Sequence, residues 1–444
     1  MSSLPQPELL SPAGSLKAMR LAFAYGADAV YAGQPRYSLR VRNNEFDLPR
    51  LAQGIAEAHA LGKKFYVVVN IAPHNAKLRT FVEDMKPVVA LQPDALIVSD
   101  PGIVMLLRTH FPEQVLHLSV QANTVNWAAV KFWQQQGIER VILSRELEVR
   151  EIAEIREHCP DMELEVFVHG ALCMAYSGRC LLSGYFNKRD PNQGACTNSC
   201  RWPYQVHAAA EDEVGQFNPI DTPVLLTEPQ RPGEYMLMDE DLHGTYIMNS
   251  KDLRGIQHVE ALTRIGVHSL KIEGRTKSPY YVARTAQVYR QAIDDAVSGK
   301  PFNPALLTEL EGMANRGFTE GFLRRHVPNE TQNYDTSHSQ GEQLFVGEIL
   351  QQDGTLAWVD VKNAFAVGDQ LILMKPSGNI TFQLDTMFDA SKQPLTRAAG
   401  AGRQVQVQLP VALTAAEAAV SMLIKQVTTP TPIPVVEVTD ASSH

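Results

Sequence analysis

The chain has 444 residues, of which 44% are hydrophobic and 20% are charged, a balance typical of globular proteins with room for two or three domains. This composition excludes an intrinsically disordered chain. The formal net charge of −9 gives no overall attraction to nucleic acid or to an anionic membrane, so a polyanionic partner must be met by local basic patches.

The first residues, MSSLPQPELLSPAGS, lack the charged and then apolar layout of a secretory signal peptide. The longest apolar runs, such as FYVVV at 65–69, fall far short of the roughly 18 residues that a membrane span needs. We therefore expect a cytoplasmic protein without a membrane partner. Because disulfides are rare in that reducing compartment, we expect clustered cysteines to bind metal or to take part in catalysis.

Short runs rich in Val, Ile, Leu and Tyr alternate with amphipathic helical segments, which predicts βαβ units and a parallel sheet covered by helices. The predicted strands lie in ELLSPAG from residue 8, DAVYAG at 28–33, FYVVVN at 65–70, ALIVSD at 95–100, LHLSVQAN at 116–123, RVILSREL at 140–147, LEVFVHGAL at 164–172 and SLKIEGR at 269–275. Eight such units favour a (β/α)8-barrel-like domain over residues 1–335, with an open doubly wound sheet as the alternative.

Residues of about 174–244 interrupt this pattern between the seventh and eighth predicted strands. They carry the clustered cysteines and a polar stretch that contains prolines, and we interpret them as an insertion on the catalytic rim of the barrel. After a polar linker at 329–343, the pattern changes to short strands separated by turns. Residues 342–435 are therefore predicted to form a small all-β domain, a closed barrel.

Four of the five cysteines, Cys173, Cys180, Cys196 and Cys200, lie in one short segment, whereas Cys159 stands apart and is expected to be a packing residue. On a continuous helix the first pair would lie about 10 Å apart along the axis, but an intervening glycine allows the chain to bend. Cys196 and Cys200 are spaced so that one helical turn would place their Cβ atoms about 6 Å from each other. Glycines between the pairs let the segment fold back, so all four thiolates can converge.

Four converging thiolates bind either a structural zinc ion or an iron–sulfur cluster. Zinc ribbons and fingers usually carry Cys-x2-4-Cys pairs, and the longer gap between Cys173 and Cys180 fits that pattern poorly. The spacing favours an iron–sulfur cluster, and zinc or unliganded packing thiols are the alternatives.

The reactive groups of a parallel barrel lie where strands end and loops begin. The polar residues at the predicted strand ends are Tyr31, Asn70, Asp100, Gln121, Asn123, Arg145, Glu146, His169, Glu273 and Arg275. His169 precedes the cysteine segment and could act as an acid, a base or a hydrogen-bond donor, or serve a structural role. Lys271, Glu273 and Arg275 alternate along one strand and point to the same side, where burial of their charges would imply a bound ligand. We predict His169, Glu273 and Arg275 as catalytic residues.

The loop after the second predicted strand carries Arg36, Arg40 and Arg42. Guanidinium groups at a barrel mouth suit bidentate capture of a carboxylate or a phosphate, and a solvated charged loop is the alternative. Together with Asn123, these arginines are predicted to bind substrate. The sequence contains no HExxH, GxSxG or P-loop pattern, so the signatures of common zinc proteases, serine hydrolases and nucleotide hydrolases are absent.

Residues 165–183, EVFVHGALCMAYSGRCLLS, resemble the signature of the collagenase-like peptidase family of unassigned mechanism. The resemblance covers most of residues 8–330 and extends into the β domain. It runs through ELLSPAG, ADAVYAG, RYSLRVRNNEF, SVQANTVNW, NKRDPNQGACTNSC, MNSKDL and KIEGRTKS.

The branch of this family that the chain resembles most implies a role in forming 5-hydroxyuridine at the wobble position of certain tRNAs. It also implies prephenate as a co-substrate and an iron–sulfur cluster, expected to be 4Fe–4S, with Cys173, Cys180, Cys196 and Cys200 as ligands. Because a barrel interior cannot reach a stacked base, the wobble nucleotide of the anticodon loop would have to be splayed out. The alternatives are a peptidase and a zinc-stabilised RNA-binding protein without catalysis.

Overall fold

The computed structural model describes residues 4–39, 44–173, 176–177, 180, 190–193, 251–313, 315, 317–324 and 343–427, together with the backbone of short strands between residues 208 and 245. The chain divides into two compact units, with the boundary near residue 340. Among the described residues, no helix combines the length and the apolar character that crossing a membrane requires.

Eight parallel strands form the centre of the first unit, and each is hydrogen-bonded to the next in chain order. The eighth strand pairs with both the seventh and the first, which closes the sheet into a barrel. The barrel strands, numbered one to eight below, are Glu8–Pro12, Ala29–Gly33, Lys64–Val69, Ala95–Val98, Leu116–Leu118, Arg140–Ile142, Glu163–Ala171 and Ser269–Ile272. The prediction of a (β/α)8-barrel-like domain is confirmed.

Helices cover the outer face of the barrel and are Leu16–Ala24, Leu48–Ala60, Asn75–Ala90, Pro101–His110, Trp127–Gln135, Val149–His158, Val259–Ile265, Pro279–Val297 and Ala305–Glu311. Single 3-10 turns span Val120–Ala122, Pro191–Gln193 and Ile256–His258. Capping residues fix several helix starts; the Asp100 carboxylate, for example, accepts from the Ile103 backbone N–H. The side chain of Ser278 caps the longest of these helices in the same way, and Pro279 follows it at the first helical position.

The segment between the seventh and eighth strands contains short antiparallel pairs. These pairs are Ala208–Glu211 with Phe217–Ile220, Val224–Thr227 with Tyr235–Met238, and Glu240–Asp241 with Gly244–Thr245. The strand Asp252–Arg254 then pairs antiparallel with the seventh barrel strand and parallel with Phe318–Thr319. The inserted segment therefore returns to the barrel beside the strand that it leaves.

The second unit is a seven-stranded antiparallel sheet with a two-stranded ribbon, Phe365–Ala366 with Arg397–Ala398. In spatial order the sheet strands are Ile380–Gln383, Gln370–Met374, Met422–Gln426, Gln343–Asp353, Leu356–Val361, Gln404–Gln408 and Met387–Phe388, and one short helix, Ala415–Ala418, accompanies them. The prediction of a small all-β domain is confirmed. The sheet is a half-barrel rather than the closed barrel expected, because its two described edge strands do not pair with each other.

A cluster of buried charges crosses the barrel interior. Glu165 is fully buried; its Oε1 lies 2.7 Å from Lys271 Nζ and its Oε2 lies 3.2 Å from Arg140 Nη1. Arg140 Nη1 also lies 2.6 Å from Glu8 Oε1, and the Tyr66 hydroxyl donates to the same carboxylate. Arg140 and Glu8 lie on the sixth and first strands, which are not neighbours in the sheet, so these contacts span the lumen. Two carboxylates and two cations thus balance inside the barrel.

Glu165→Gln is expected to lower the free energy of unfolding by about 3–5 kcal/mol, because it leaves the charges of Lys271 and Arg140 buried without their shared carboxylate. Glu165→Gln combined with Lys271→Met should recover part of this loss, because the second substitution removes an unpaired cation. The measurement is urea unfolding followed by far-UV circular dichroism. Glu260→Gln, which breaks an exposed pair with Arg264, is the control and should cost no more than about 0.5 kcal/mol. Equal losses for Glu165→Gln and the control would contradict this expectation.

Candidate functional site

Polar side chains from several strands meet at the carboxyl ends of the barrel, which we call the mouth. Asn70 follows the third strand; its Oδ1 accepts from the Leu39 backbone N–H at 3.2 Å and its Nδ2 donates to Ser119 Oγ at 3.0 Å. Ser99 Oγ, after the fourth strand, donates to the Asn70 carbonyl oxygen at 3.0 Å. These bonds fix the ends of three neighbouring strands, so groups at the mouth are held on a rigid frame.

Arg275 extends from the end of the eighth strand toward the loop that follows the second. Its Nη2 donates to the Leu39 carbonyl oxygen at 2.7 Å, and its guanidinium carbon lies 5.8 Å from the centre of the Tyr31 ring. A Cβ atom at Gly33 would lie 2.6 Å from Arg275 Nη1 and 2.3 Å from Ser38 Oγ. Only glycine at position 33 therefore leaves room for the guanidinium at this place.

The mouth narrows onto two aromatic rings and a lysine. Lys271 Nζ lies 4.3 Å from the centre of the Tyr31 ring and 5.4 Å from the centre of the Phe167 ring. Burial first, and the Glu273 charge second, raise the pKa of the Tyr31 phenol, while the Arg275 and Arg145 charges act to lower it. Charged groups from the sixth and eighth strand ends therefore lie within electrostatic range of one tyrosine.

Glu273 is half-buried at the rim. Its backbone N–H donates to the His169 carbonyl oxygen at 2.8 Å, and its own carbonyl oxygen accepts from the Tyr281 hydroxyl at 2.8 Å. A Cβ atom at Gly170 would lie 2.5 Å from that same carbonyl oxygen, and Gly170 has a φ of +110°. The glycine of the HGA sequence is thus needed for the ends of the seventh and eighth strands to approach each other.

His169 faces the helix layer and not the barrel interior. A register shift between the seventh and eighth strands opposes Lys271 to Phe167 but Ile272 to His169, which turns the histidine outward. Its Nδ1 lies 3.3 Å from the Tyr289 hydroxyl, and its ring contacts those of Tyr281, Tyr289 and Phe318.

Burial, helped by the charges of Lys277 and Arg254, lowers the pKa of His169 to about 3. The imidazole is therefore neutral at physiological pH, is 1% exposed, and packs between the barrel and the helix Pro279–Val297. This geometry gives the predicted catalytic role of His169 no support and favours the structural alternative.

Two of the residues predicted to bind substrate are held by other groups. Arg36 Nη1 lies 2.7 Å from Asp84 Oδ2 on the helix Asn75–Ala90, so its guanidinium is directed toward the outer layer. Asn123 Nδ2 donates to the Ser177 carbonyl oxygen at 2.5 Å and connects the loop after the fifth strand to the cysteine segment. The other two, Arg40 and Arg42, lie outside the described residues.

Of the predicted metal ligands, Cys173 is exposed and Cys180 is partly exposed, whereas Cys196 and Cys200 lie outside the described residues. Asn192 Nδ2 donates to the Cys180 carbonyl oxygen at 3.4 Å, and the Asn192 carbonyl oxygen accepts from the Ala72 backbone N–H at 3.1 Å. Two separate stretches of the inserted segment therefore meet next to the loop after the third strand. Cys159 is buried, and its thiol donates to the Trp127 carbonyl oxygen at 3.5 Å, as expected for a packing residue.

The charges that cross the lumen were not among the predicted site residues. Glu8 and Arg140 stand at the starts of their strands, and only closure of the barrel brings them together. The sequence pattern identifies Arg145 only as a strand-end residue. Its guanidinium carbon lies 4.1 Å from the centre of the Phe167 ring, which places it at the mouth.

Residues 14–333 match the family model of Peptidase family U32, and residues 341–419 match that of the Peptidase family U32 C-terminal domain. The chain belongs to Peptidase family U32. The resemblance inferred from residues 165–183 is thereby confirmed.

Relatives in this family carry names that refer to RNA hydroxylation. The chain is 65% identical over 426 residues to "tRNA hydroxylation protein P" of Escherichia coli, covering 91% of this chain and 94% of the relative. It is 59% identical over 435 residues to the protein of the same name from Haemophilus influenzae, covering 92% and 95%. A more distant relative, 30% identical over 390 residues and covering 86% of this chain and 54% of the relative, is the E. coli "23S rRNA 5-hydroxycytidine C2501 synthase".

His169→Gln is expected to weaken the loss of stability in acid. Because the folded-state pKa of His169 is about 3, below the ordinary value of 6.5, the unfolded chain takes up the proton first. The stability that neutral His169 supports is therefore present above pH 6.5 and is lost as the pH falls toward 3. For a single such group the loss between pH 7 and pH 5 is about 2 kcal/mol. Urea unfolding at several pH values should show a shallower dependence in the variant.

Tyr289→Phe is the control for this measurement, because it removes the hydroxyl next to His169 and leaves the imidazole in place. Burial raises the pKa of Tyr289 well above 10, so the loss of its hydroxyl should destabilise the protein equally at pH 5 and pH 7. A His169→Gln variant with the full pH dependence of the wild type would show that the imidazole is not held neutral by its buried site.

Proposed function

We propose that this protein hydroxylates uridine in tRNA. The observation that carries this proposal is the 65% identity to tRNA hydroxylation protein P over 91% of the chain, which includes both units. The barrel mouth is the candidate for the reaction, since it gathers Tyr31, Lys271, Glu273 and Arg275 on a hydrogen-bonded frame. We take the protein to act in the cytoplasm, where tRNA is modified.

We further infer that the target is the wobble uridine of the anticodon loop and that the product is 5-hydroxyuridine. A single-stranded loop can splay out one base at a small cost, and a splayed base can approach the end of a barrel that a stacked base cannot reach. With a net charge of −9, the protein must meet the tRNA backbone through local groups of basic side chains.

Cys173, Cys180, Cys196 and Cys200 would hold an iron–sulfur cluster, expected to be 4Fe–4S. The bond between Asn192 and the Cys180 carbonyl oxygen supports convergence, because it brings the chain next to Cys180 only four residues before Cys196. Four residues reach at most about 14 Å, and both described thiols are accessible. When bound, such a cluster supplies one-electron redox chemistry that amino-acid side chains lack.

Prephenate, a dicarboxylate, is the proposed co-substrate. The cations at the mouth favour an anionic ligand, and Arg275 is held in place there by its hydrogen bond to the Leu39 carbonyl oxygen. The loop arginines Arg40 and Arg42 are further candidates for binding its carboxylates.

The peptidase alternative requires a nucleophile activated by a base or a metal-bound water. Among the described residues, no Ser, Thr or Cys side chain is hydrogen-bonded to a histidine ring, and no group of three or more His, Cys, Asp and Glu side chains is arranged to hold a metal ion. The Ser144 hydroxyl instead donates to the Glu146 carboxylate.

Deletion of this protein is expected to remove 5-hydroxyuridine-derived nucleosides from tRNA in a strain that lacks other hydroxylation routes. Mass-spectrometric nucleoside analysis of total tRNA measures this directly. The wild type should restore the nucleosides, and Cys173→Ala should not, because it removes one of the proposed cluster ligands. Cys159→Ala is the matched control; it removes a cysteine that packs against Trp127 and should restore them.

Full restoration by Cys173→Ala would show that the cluster is dispensable while leaving the tRNA function in place. Unchanged nucleosides after deletion would instead remove the tRNA function. Cleavage of a peptide library by the purified protein would then be the test of the peptidase alternative.

Protein purified without oxygen is expected to be brown, with broad absorbance near 400 nm and about four iron atoms per chain, as for a cysteine-bound 4Fe–4S cluster. Cys173→Ala should lower the iron content, whereas Cys159→Ala should leave it unchanged. Absorbance and elemental analysis measure both quantities. A colourless protein with one zinc ion per chain would favour the non-catalytic alternative.

A further inference from the structure

Arg145 carries an unbalanced charge at the barrel mouth. It follows the sixth strand, and its guanidinium carbon lies 4.1 Å from the centre of the Phe167 ring. Nη1 donates to the Ala171 carbonyl oxygen at 3.2 Å, while Nε is buried without a hydrogen-bond partner. Among the described residues, no carboxylate lies within ion-pair distance of this guanidinium.

Glu273, at the rim, lies within electrostatic range of Tyr31 but not within ion-pair distance of Arg145, and two other neighbouring carboxylates are engaged elsewhere. Glu165 uses one oxygen for Lys271 and the other for Arg140, and Glu146 accepts from the Ser144 hydroxyl. A cation that is half-buried and has no carboxylate partner is costly to keep, and such groups are found where a ligand supplies the opposite charge. The charges of the lower lumen are therefore paired, whereas the Arg145 guanidinium at the mouth has no ion-pair partner among the described residues.

The surrounding groups define the size of the ligand. Lys271 Nζ contacts both the Tyr31 and the Phe167 rings, Arg145 lies over Phe167, and Arg275 lies near Tyr31. These contacts bring the two guanidinium groups to the same part of the mouth, above a floor of two rings and one ammonium group. The interior of an eight-stranded barrel has room for side chains or for one small ligand. A small organic anion can enter such a site by itself, whereas a backbone phosphate is attached to an RNA chain that the site would also have to accommodate.

We propose that Arg145, together with Arg275, binds the carboxylate of a small organic anion at the barrel mouth. This assignment deepens the proposed function and rests on it for the identity of the anion, since the co-substrate named there is a dicarboxylate. Planar guanidinium groups suit carboxylate oxygens because they can donate two parallel hydrogen bonds. Arg145 is in this way a substrate-binding residue, in addition to those predicted from the sequence.

The test is calorimetric titration of the full-length, anaerobically purified protein with prephenate and, separately, with inorganic phosphate. Arg145→Gln should raise the Kd for prephenate at least tenfold, because hydrogen bonds between charged groups contribute about 10- to 150-fold in affinity. Arg145→Lys keeps the charge but loses the planar fork, so its Kd should lie between those of the wild type and Arg145→Gln. Arg150→Gln, at an exposed position paired with Glu148, is the control and should bind like the wild type.

Unchanged prephenate affinity in Arg145→Gln, or absence of prephenate binding by the wild type, would overturn the assignment. Equal weakening for phosphate and prephenate would make the site a general anion site, which also overturns it. Normal prephenate binding by Arg145→Gln would overturn it likewise, and a weaker tRNA affinity of this variant in a separate binding assay would then assign Arg145 to the RNA backbone. Thermal unfolding of each variant verifies that it is folded, and Arg145→Lys provides the graded result that a misfolded variant would not give.

This titration contains no tRNA, so it separates the two proposals. Arg145-dependent prephenate binding in a protein whose deletion leaves tRNA unchanged would retain the anion site and remove the tRNA function. Loss of the tRNA nucleosides on deletion, without any binding of prephenate, would retain the tRNA function and remove the anion site.

Discussion

Glu165 lies between Lys271 and Arg140 in the interior of the barrel, and this buried charge pairing constrains the rest of the first unit. Burying an ion costs several kcal/mol unless its partner is in place, so the sixth, seventh and eighth strands must hold a fixed register. Glu8 extends the same requirement to the first strand through Arg140. A slip of one residue would turn Glu165 or Lys271 away from the lumen and separate the pair, so the register that keeps these charges together also positions the strand ends above them.

The chemistry of the mouth follows from this charge balance. Lys271 is neutralised from below by Glu165, and above it stand the Tyr31 and Phe167 rings and the two guanidinium groups of Arg145 and Arg275. Burial, and with it the charges of Arg275 and Arg140, lowers the pKa of Lys271, while Glu165 acts to raise it. The charges of the lower lumen are thus paired and stabilise the fold, whereas at the mouth Arg145 has no ion-pair partner among the described residues. The inserted cysteine segment reaches the same end of the barrel through Ser177 and Asn192.

The fold was predictable from the sequence because each barrel strand is a short apolar run bounded by turn residues, and this pattern is local. The side on which His169 lies was not predictable, since one register shift near Lys271 reverses the alternation. Arg36 was expected at the mouth, but its partner Asp84 lies on a helix whose position only the packed structure gives. The contact between Arg140 and Glu8 likewise depends on barrel closure. The local pattern of apolar residues thus predicts the helices and strands, whereas contacts between distant elements determine which side chains lie at the barrel mouth.

Family membership and similarity to tRNA hydroxylation proteins lead to one central claim, that a tRNA base is brought to the barrel mouth. The most direct measurement is photo-crosslinking of the full-length protein to an anticodon stem–loop that carries 4-thiouridine at the wobble position, with the crosslinked peptides identified by mass spectrometry. We predict crosslinks to peptides of the mouth, such as those containing Arg145 or Arg275, and none when the thiouridine is moved into the stem. Crosslinks confined to residues 343–427 would contradict the claim.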